Sequence, residues 1–134
     1  MFQAKQKYRR FEKKIWLSSP TMHGEELRYM KRAYETNWMS TVGENIDELE
    51  RGIAEKVGRK YAVCLSSGTA ALHLALLTQG IGPGDEVITT PLTFASTANT
   101  ILHVGATPVF ADIDPDTGLI DPKEIEKKIT DKTR

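Results

Sequence analysis

The second half of the sequence alternates short apolar segments with longer segments of helical type. The pattern predicts strands over residues 61–65, 86–89 and 107–111, and helices over residues 69–79, 94–104 and 122–130. Such alternation is typical of consecutive β-α-β units, in which parallel strands form a sheet and the helices cover its faces. We therefore predict an α/β fold with a mainly parallel sheet and flanking helices.

Two amphipathic helices are predicted before this alternation. The first covers residues 24–36, and the second ends at Gly58, a residue type that favours the close of a helix. Residues 37–43 form an irregular link between them. We predict that Asn45 caps the second helix and that Glu48 closes its capping box.

The helix predicted over residues 69–79 is apolar on nearly all sides, so we expect it to be buried on several sides. The last predicted helix begins with Asp121 as its cap, Pro122 in its first position and Glu124 closing a capping box. The sequence ends soon after, where the alternation calls for another strand.

These two observations indicate that the sequence is the N-terminal portion of a longer protein. We predict a basic N-terminal arm over residues 1–14, which contains six lysines and arginines. Residues 15–134 would form the first portion of a large domain.

Composition limits the classes of function. The 18 basic and 18 acidic side chains cancel, so no overall field attracts nucleic acid or an anionic membrane. No apolar stretch is long enough to span a bilayer, and residues 1–14 lack the apolar core of a signal peptide. The single cysteine, Cys64, excludes an internal disulfide and a multi-cysteine metal site. We expect a cytoplasmic protein with neither nucleic acid nor a membrane as partner.

The strongest chemical signal is the turn from the first predicted strand into the next helix. Ser66, Ser67 and Gly68 are small and let a ligand approach the backbone. The amides of Gly68, Thr69 and Ala70 lie at the positive end of the helix dipole, which suits a phosphate group. A capped turn without a ligand has the same residue pattern, so both interpretations stay open.

Three well-known sites do not match this turn. It lacks the lysine of a nucleotide-triphosphate P-loop and the G-x-G-x-x-G pattern of a dinucleotide-binding fold. It also lacks the G-x-S-x-G pattern of a serine hydrolase.

Two later segments are candidate binding elements. Phe94 follows a predicted strand, at the edge where open α/β sheets bind ligands, and could stack on a flat ring; a core position is the alternative. Residues 112–118 resemble a calcium loop, but the glycine arrives one position late and Lys123 replaces the glutamate of the twelfth position. We therefore predict a surface turn there and no metal site.

Taken together, these segments resemble the DegT/DnrJ/StrS-type sugar aminotransferases, which use pyridoxal 5'-phosphate and have the aspartate aminotransferase fold. The resemblance covers about residues 15–134. The matching segments, in the family's order, are Leu17-Ser18-Ser19-Pro20 with Met22 and Gly24-Glu25, Asn37-Trp38 with Val42-Gly43, Ser67-Gly68-Thr69-Ala70-Ala71-Leu72, Gly82-Pro83-Gly84-Asp85-Glu86-Val87-Ile88, Thr93-Phe94, and Gly105-Ala106-Thr107-Pro108-Val109-Phe110 with Asp112-Ile113-Asp114.

The resemblance implies roles for individual residues. Gly68, Thr69 and Ala70 would hold the phosphate of pyridoxal 5'-phosphate, and Phe94 would stack on its pyridine ring. The pocket for the nucleotide sugar would be lined by the four residues after the first helix, Asn37, Trp38, Met39 and Ser40. The implied reaction transfers an amino group from glutamate to a nucleotide-linked keto-sugar, for surface polysaccharide.

The resemblance also implies what this sequence does not supply. The family's Schiff-base lysine and the carboxylate facing the pyridine nitrogen are expected beyond Arg134, so no catalytic residue is assigned. The family fold separates residues 61–65 from the next two strands in the sheet. We therefore expect residues 1–134 alone to be inactive and unstable, and the whole protein to be a homodimer.

Two other functions fit the same residues. A relative in which the cofactor drives dehydration of the sugar would differ only at the lysine segment. A phosphate-ligand binding module without chemistry is the third hypothesis, against which the apolar helix over residues 69–79 argues.

Overall fold

A computed structural model describes residues 11–134, and the structural statements below concern those residues. Most of the basic arm predicted over residues 1–14, namely residues 1–10, lies outside them. The chain divides into two compact units, Met1–Ala62 and Val63–Arg134, which are described separately. No helix in the described part is long and apolar enough to cross a membrane.

The first unit contains α1 (Glu26–Glu35) and α2 (Glu44–Lys56), which confirms the two helices predicted there. Gly58 follows α2 with φ +64°, a conformation that glycine adopts without strain. The prediction that glycine ends this helix is therefore correct.

The capping box predicted at the start of α2 is wrong. The helix begins at Glu44, and its N-cap is Gly43, with φ +133° and no side-chain cap. Asn45 lies inside the first turn, where its Nδ2 donates to the backbone oxygen of Tyr29 at 3.1 Å. Contacts with α1, which is distant in the sequence, therefore replace the local capping bonds expected of Asn45 and of Glu48.

The second unit has five elements: α3 (Gly68–Thr78), β1 (Glu86–Thr89), α4 (Ser96–His103), β2 (Thr107–Phe110) and α5 (Pro122–Glu126). β1 and β2 are parallel, with Glu86 opposite Thr107 and Thr89 opposite Phe110. Since α4 connects two adjacent parallel strands, β1, α4 and β2 form a β-α-β unit. The predicted parallel pairing and flanking helices are confirmed.

The chain after α5 returns to the sheet on the side of β1 away from β2. The amide of Glu86 donates to the oxygen of Lys132 at 2.9 Å, and the amide of Arg134 donates to the oxygen of Glu86 at 3.0 Å. Glu86 and Thr133 form a parallel bridge. This contact agrees with the alternation, which calls for a strand after the last helix.

Three predicted elements differ from the structure. Residues 61–65 have no regular secondary structure and pair with no strand in the described residues, as the family's strand order implied. α4 begins at Ser96 rather than at residue 94. α5 ends at Glu126, because the following residues turn back toward β1, where the Thr130 hydroxyl donates to the Glu86 carboxylate at 2.6 Å.

The start of α5 follows part of its prediction. Pro122 occupies the first turn, and the Asp121 side chain accepts a hydrogen bond from the amide of Lys123 at 2.8 Å. The capping box predicted with Glu124 is wrong, because the Asp121 amide donates instead to the oxygen of Asp112. Glu124 pairs with Lys127.

The core of the second unit is a small cluster formed by Ile101, Val104 and Ala106. Leu76, at the end of α3, packs against it, as do two half-buried residues on either side of the turn into β1, Ile81 and Val87. No residue of α3 is fully buried in this unit, which agrees with the indication that the helix needs cover from further residues. Its apolar side chains lie mostly exposed, since the cluster contacts one side of the helix.

The core predicts that substitutions at two adjacent residues of α4 differ in their effect on the free energy of unfolding. Ile101 is 2% exposed and Leu102 is 57% exposed. Replacing Ile101 by Ala leaves a cavity, so we expect a loss of about 2–4 kcal/mol in the free energy of unfolding. Leu102→Ala removes a side chain of equal size from the surface and should cost about 0.5 kcal/mol. Chemical denaturation of both variants provides the comparison, and equal losses would contradict the assigned core.

Candidate functional site

The turn at the start of α3 is the first part of the candidate site. Ser67 is extended and caps the helix: its Oγ accepts from the amide of Ala70, and its carbonyl oxygen accepts from the amide of Ala71, both at 3.1 Å. Within the described residues of this unit, the amides of Gly68 and Thr69 have no acceptor. Of the three amides that the sequence predicts to be available, those of Gly68 and Thr69 are available, whereas that of Ala70 is already bonded to Ser67.

The surroundings of these two amides favour an anion. The first turns of α3 and α4 contain no acidic residue, whereas α1, α2 and α5 each carry at least one there. The positive end of the α3 dipole is therefore not neutralised by its own first turn. A Cβ atom added to Gly68 would meet nothing within 4 Å, so open space adjoins the backbone.

Phe94 is the second part of the candidate site. Its side chain is 79% exposed, and it lies between the end of β1 and the start of α4. The Phe94 oxygen accepts from the amide of Thr97 at 3.0 Å, and the hydroxyls of Thr93 and Thr97 lie 3.2 Å apart. These bonds fix the backbone around the ring to the first turn of α4.

The turn at Gly68 and Phe94 belong to the same edge of the sheet. The ends of α3 and α4 lie together, because Leu76 packs on the cluster that contains Val104, and a Cβ on Gly82 would lie 3.7 Å from the Val104 oxygen. Each helix then runs through a short turn into a parallel strand. Both helices therefore begin toward the carboxyl ends of the strands, the edge at which open α/β sheets bind ligands.

The acidic segment 112–118 forms the predicted surface turn. Asp114 Oδ1 accepts from the amides of Asp116 and Thr117 at 2.8 and 3.2 Å. Ile113 and Ile120 are bridged across the base of the turn. One carboxylate oxygen of the segment is thus used by the backbone of the turn itself.

The link between α1 and α2 contains the residues predicted to line a substrate pocket. Asn37 adopts φ +59°, its amide donates to the Tyr34 oxygen at 3.1 Å, and the Trp38 amide donates to the Ala33 oxygen at 2.8 Å. This pattern ends α1 with asparagine in the left-handed conformation. Asn37 thus has a local structural role, and its role toward substrate stays a prediction.

A groove of about 930 Å³ lies between α1, the link and α2, and we call it the α1–α2 groove. Trp38, Met39 and Ser40 line it, whereas Asn37 does not. The Trp38 side chain lies across Gly43, where an added Cβ would come within 3.2 Å of the Trp38 Cβ. Glycine at this position therefore allows both the turn into α2 and the placement of the indole.

Arg32 and Asn45 also line the groove, a position that the sequence analysis predicted for neither residue. Arg32 of α1 forms ion pairs with Glu44 and Glu48 of α2, the second at 3.3 Å. The hydrogen bond to Glu44, and to a lesser extent the one to Glu48, raises the pKa of Arg32 above its usual value. The Oδ1 atom of Asn45 is buried without a hydrogen-bond partner in the described residues.

The candidate residues fall into two groups. Gly68, Thr69, Ala70 and Phe94 belong to the second unit. The groove residues belong to the first unit, so each group is described within its own unit.

Comparison with known proteins gives one family. The model of the DegT/DnrJ/EryC1/StrS aminotransferase family matches residues 20–134. The chain is 52% identical to the spore coat polysaccharide biosynthesis protein SpsC of Bacillus subtilis, over 87% of this chain and 30% of that protein. It is 43% identical to the GDP-perosamine synthase of Caulobacter vibrioides, over 90% of this chain and 33% of that protein.

Solved structures agree with the sequence comparison. NtdA of Bacillus subtilis, crystallised with its cofactor PMP, superimposes with a TM-score of 0.79 and 32% identity, over 96% of this chain and 31% of that chain. The fold is therefore that of the aspartate aminotransferase-type enzymes in the family, as predicted. The chain spans about a third of the length of the relatives that it matches.

The cap of α3 generates a stability prediction. Replacing Ser67 by Ala removes the acceptor of the Ala70 amide, so we expect a loss of about 1 kcal/mol in the free energy of unfolding. Ser66→Ala, which changes the preceding serine, is the control and should lie within about 0.5 kcal/mol of the parent. Denaturant titration measures both, and equal effects would contradict the capping role.

Proposed function

The chain belongs to the DegT/DnrJ/EryC1/StrS aminotransferase family, and we propose that it forms the cofactor-phosphate-binding part of a pyridoxal-phosphate-dependent sugar aminotransferase. The observation that carries the proposal is the pair of available amides at Gly68 and Thr69, on the sheet edge that also presents Phe94. GDP-perosamine synthase and SpsC, as their names state, belong to sugar and polysaccharide biosynthesis, which supports this substrate class.

The first turn of α3 fits the phosphate of the cofactor. The amides of Gly68 and Thr69 supply two donors, the open space beside Gly68 accommodates the phosphate oxygens, and no acidic side chain of that turn opposes the charge. The amide of Ala70 is bonded to Ser67, so we assign Ala70 to the wall of this cradle rather than to a donor role.

Phe94 fits the ring of the cofactor. Its phenyl group is exposed, and its backbone is hydrogen-bonded to the first turn of α4. The ring can therefore contact a ligand while its backbone is held in place. Stacking of Phe94 on the pyridine ring would orient that ring relative to the phosphate held by Gly68 and Thr69. When bound, the cofactor supplies the electron sink that makes transfer of an amino group feasible.

The α1–α2 groove is our proposed contact for the nucleotide-sugar substrate. It offers an indole face from Trp38, a thioether from Met39 and a hydroxyl from Ser40, which together suit a ligand with flat and polar parts. Glutamate is the proposed amino donor. The overall reaction exchanges the amino group of glutamate for the oxygen of the keto-sugar and yields 2-oxoglutarate and an amino sugar.

We further propose a cytoplasmic location and a homodimer. The location follows from the nucleotide-linked substrate, and the dimer from the resemblance to the family. Sedimentation analysis of the native protein would test the dimer.

A transfer assay tests the proposed function. The native protein is incubated with pyridoxal 5'-phosphate, ¹⁵N-glutamate and a set of nucleotide-linked keto-sugars. The expected products are a ¹⁵N-labelled amino sugar and an equal amount of 2-oxoglutarate. Loss of water from the sugar without 2-oxoglutarate would favour the dehydratase, and cofactor binding without any turnover would favour a binding module.

The phosphate cradle gives a prediction that needs no turnover. Gly68→Ala adds a methyl group where the chain itself leaves space, so the free energy of unfolding should change by less than about 0.5 kcal/mol. In Gly68→Ala, the added methyl group should weaken pyridoxal 5'-phosphate binding about tenfold or more. In Thr69→Val, loss of the hydroxyl should weaken it by a similar factor.

Equilibrium dialysis of the cofactor measures this effect. Thr78→Val is the matched control, because its hydroxyl lies at the far end of α3 and donates to the Ala75 oxygen. Unchanged affinity in both Gly68 and Thr69 variants would contradict the assignment of the cradle.

A further inference from the structure

We infer that Arg32 is a positioning residue: by pairing with Glu44 and Glu48 it fixes α2 to α1 and thereby sets the width of the α1–α2 groove. The inference rests on the proposed function only in taking this groove as the contact for the nucleotide sugar. It assigns to Arg32 a role that neither its residue type nor its position in the sequence indicates.

Arg32 joins the two walls of the groove. It lies on α1 and has a half-buried side chain, and both of its partners lie in the first two turns of α2. The Nδ2 of Asn45 adds a second bond between the same elements, to the oxygen of Tyr29 at 3.1 Å. The polar contacts between α1 and α2 are therefore concentrated beside the start of α2.

The link between the helices depends on where α2 begins. The amides of Ile46 and Asp47 donate to the Gly43 oxygen at 2.9 and 3.1 Å, so Gly43 is held by the first turn of α2. The Trp38 side chain lies against Gly43. A shift of α2 away from Arg32 would thus move Gly43 and release the indole that lines the groove.

The charges argue against direct binding of an anion by Arg32. One guanidinium faces two carboxylates, so the cluster of Arg32, Glu44 and Glu48 is net negative when all three are ionised. A guanidinium that is already paired with two carboxylates has no net positive charge to offer an anion. Arg32 therefore acts through the geometry of the groove, not as a ligand for the substrate.

The test compares four variants of the native protein. Arg32→Gln removes the positive charge, and the double variant Glu44→Gln with Glu48→Gln removes both of its partners. Lys31→Gln is the control, since Lys31 lies on the same helix, does not line the groove and pairs with Glu35 of α1 at 3.7 Å rather than with α2. The triple variant that combines all three groove substitutions completes a double-mutant cycle.

The expected result is a split between the kinetic constants. Arg32→Gln should raise KM for the nucleotide sugar about three- to tenfold while kcat stays within about twofold, because the groove and not the reacting atoms has changed. The double glutamate variant should raise KM by a similar factor, and the triple variant should be no worse than either. Lys31→Gln should leave both constants unchanged.

The glutamate variant distinguishes the two possible roles of Arg32. If Arg32 bound the substrate directly, removal of two competing carboxylates would lower KM instead of raising it. A lowered KM, or an unchanged KM in Arg32→Gln, would overturn the inference.

Amide hydrogen exchange gives a readout that does not depend on activity. Arg32→Gln and the double glutamate variant should speed exchange at the amides of Trp38, Ile46 and Asp47, and Lys31→Gln should not. Unchanged exchange in Arg32→Gln overturns the positioning role. If the parent protein transfers no amino group, the proposed function fails, and the exchange data still decide whether Arg32 fixes the groove.

Discussion

The packing of Ile101, Val104 and Ala106 against Leu76 is the contact on which the second unit depends. The cluster brings together the ends of α3 and α4, and each helix then leads into a strand of the parallel sheet. Because both helices are fixed at their ends, their first turns face the same edge of the sheet. Apolar contacts at the opposite end of the helices thus place the two available amides of α3 and the ring of Phe94 at one edge of the sheet.

The same constraint accounts for how little of α3 is buried. The cluster contacts one side of the helix, and Leu72, Leu74 and Leu77 stay 41%, 42% and 51% exposed. A helix that is apolar on nearly all sides needs further cover to be stable in water. The relatives that this chain matches are about three times as long, so their additional residues are available for such contacts.

The first unit is organised by polar contacts rather than by a core. Only Ala54 is fully buried among its described residues. The ion pairs of Arg32 and the bond from Asn45 to Tyr29 hold α1 beside α2, and Gly43 allows Trp38 to lie against the turn. Individual pairs of this kind contribute little free energy, so the shape of the groove depends on several of them acting together.

Local sequence signals determined the helices and strands of the second unit and indicated the proposed phosphate cradle. The strand over residues 86–89 and the cap at Asp121 were predicted as observed, and the small residues before α3 indicated an anion site, because each signal acts within one turn or one strand. The tertiary structure decided what distant residues do. Asn45 and Glu48 satisfy the capping pattern, yet they bond to Tyr29 and Arg32 of α1, each 16 residues earlier in the sequence. Likewise, Ser67 takes the amide of Ala70, and only packing at Leu76 sets the first turn of α3 on the edge that carries Phe94.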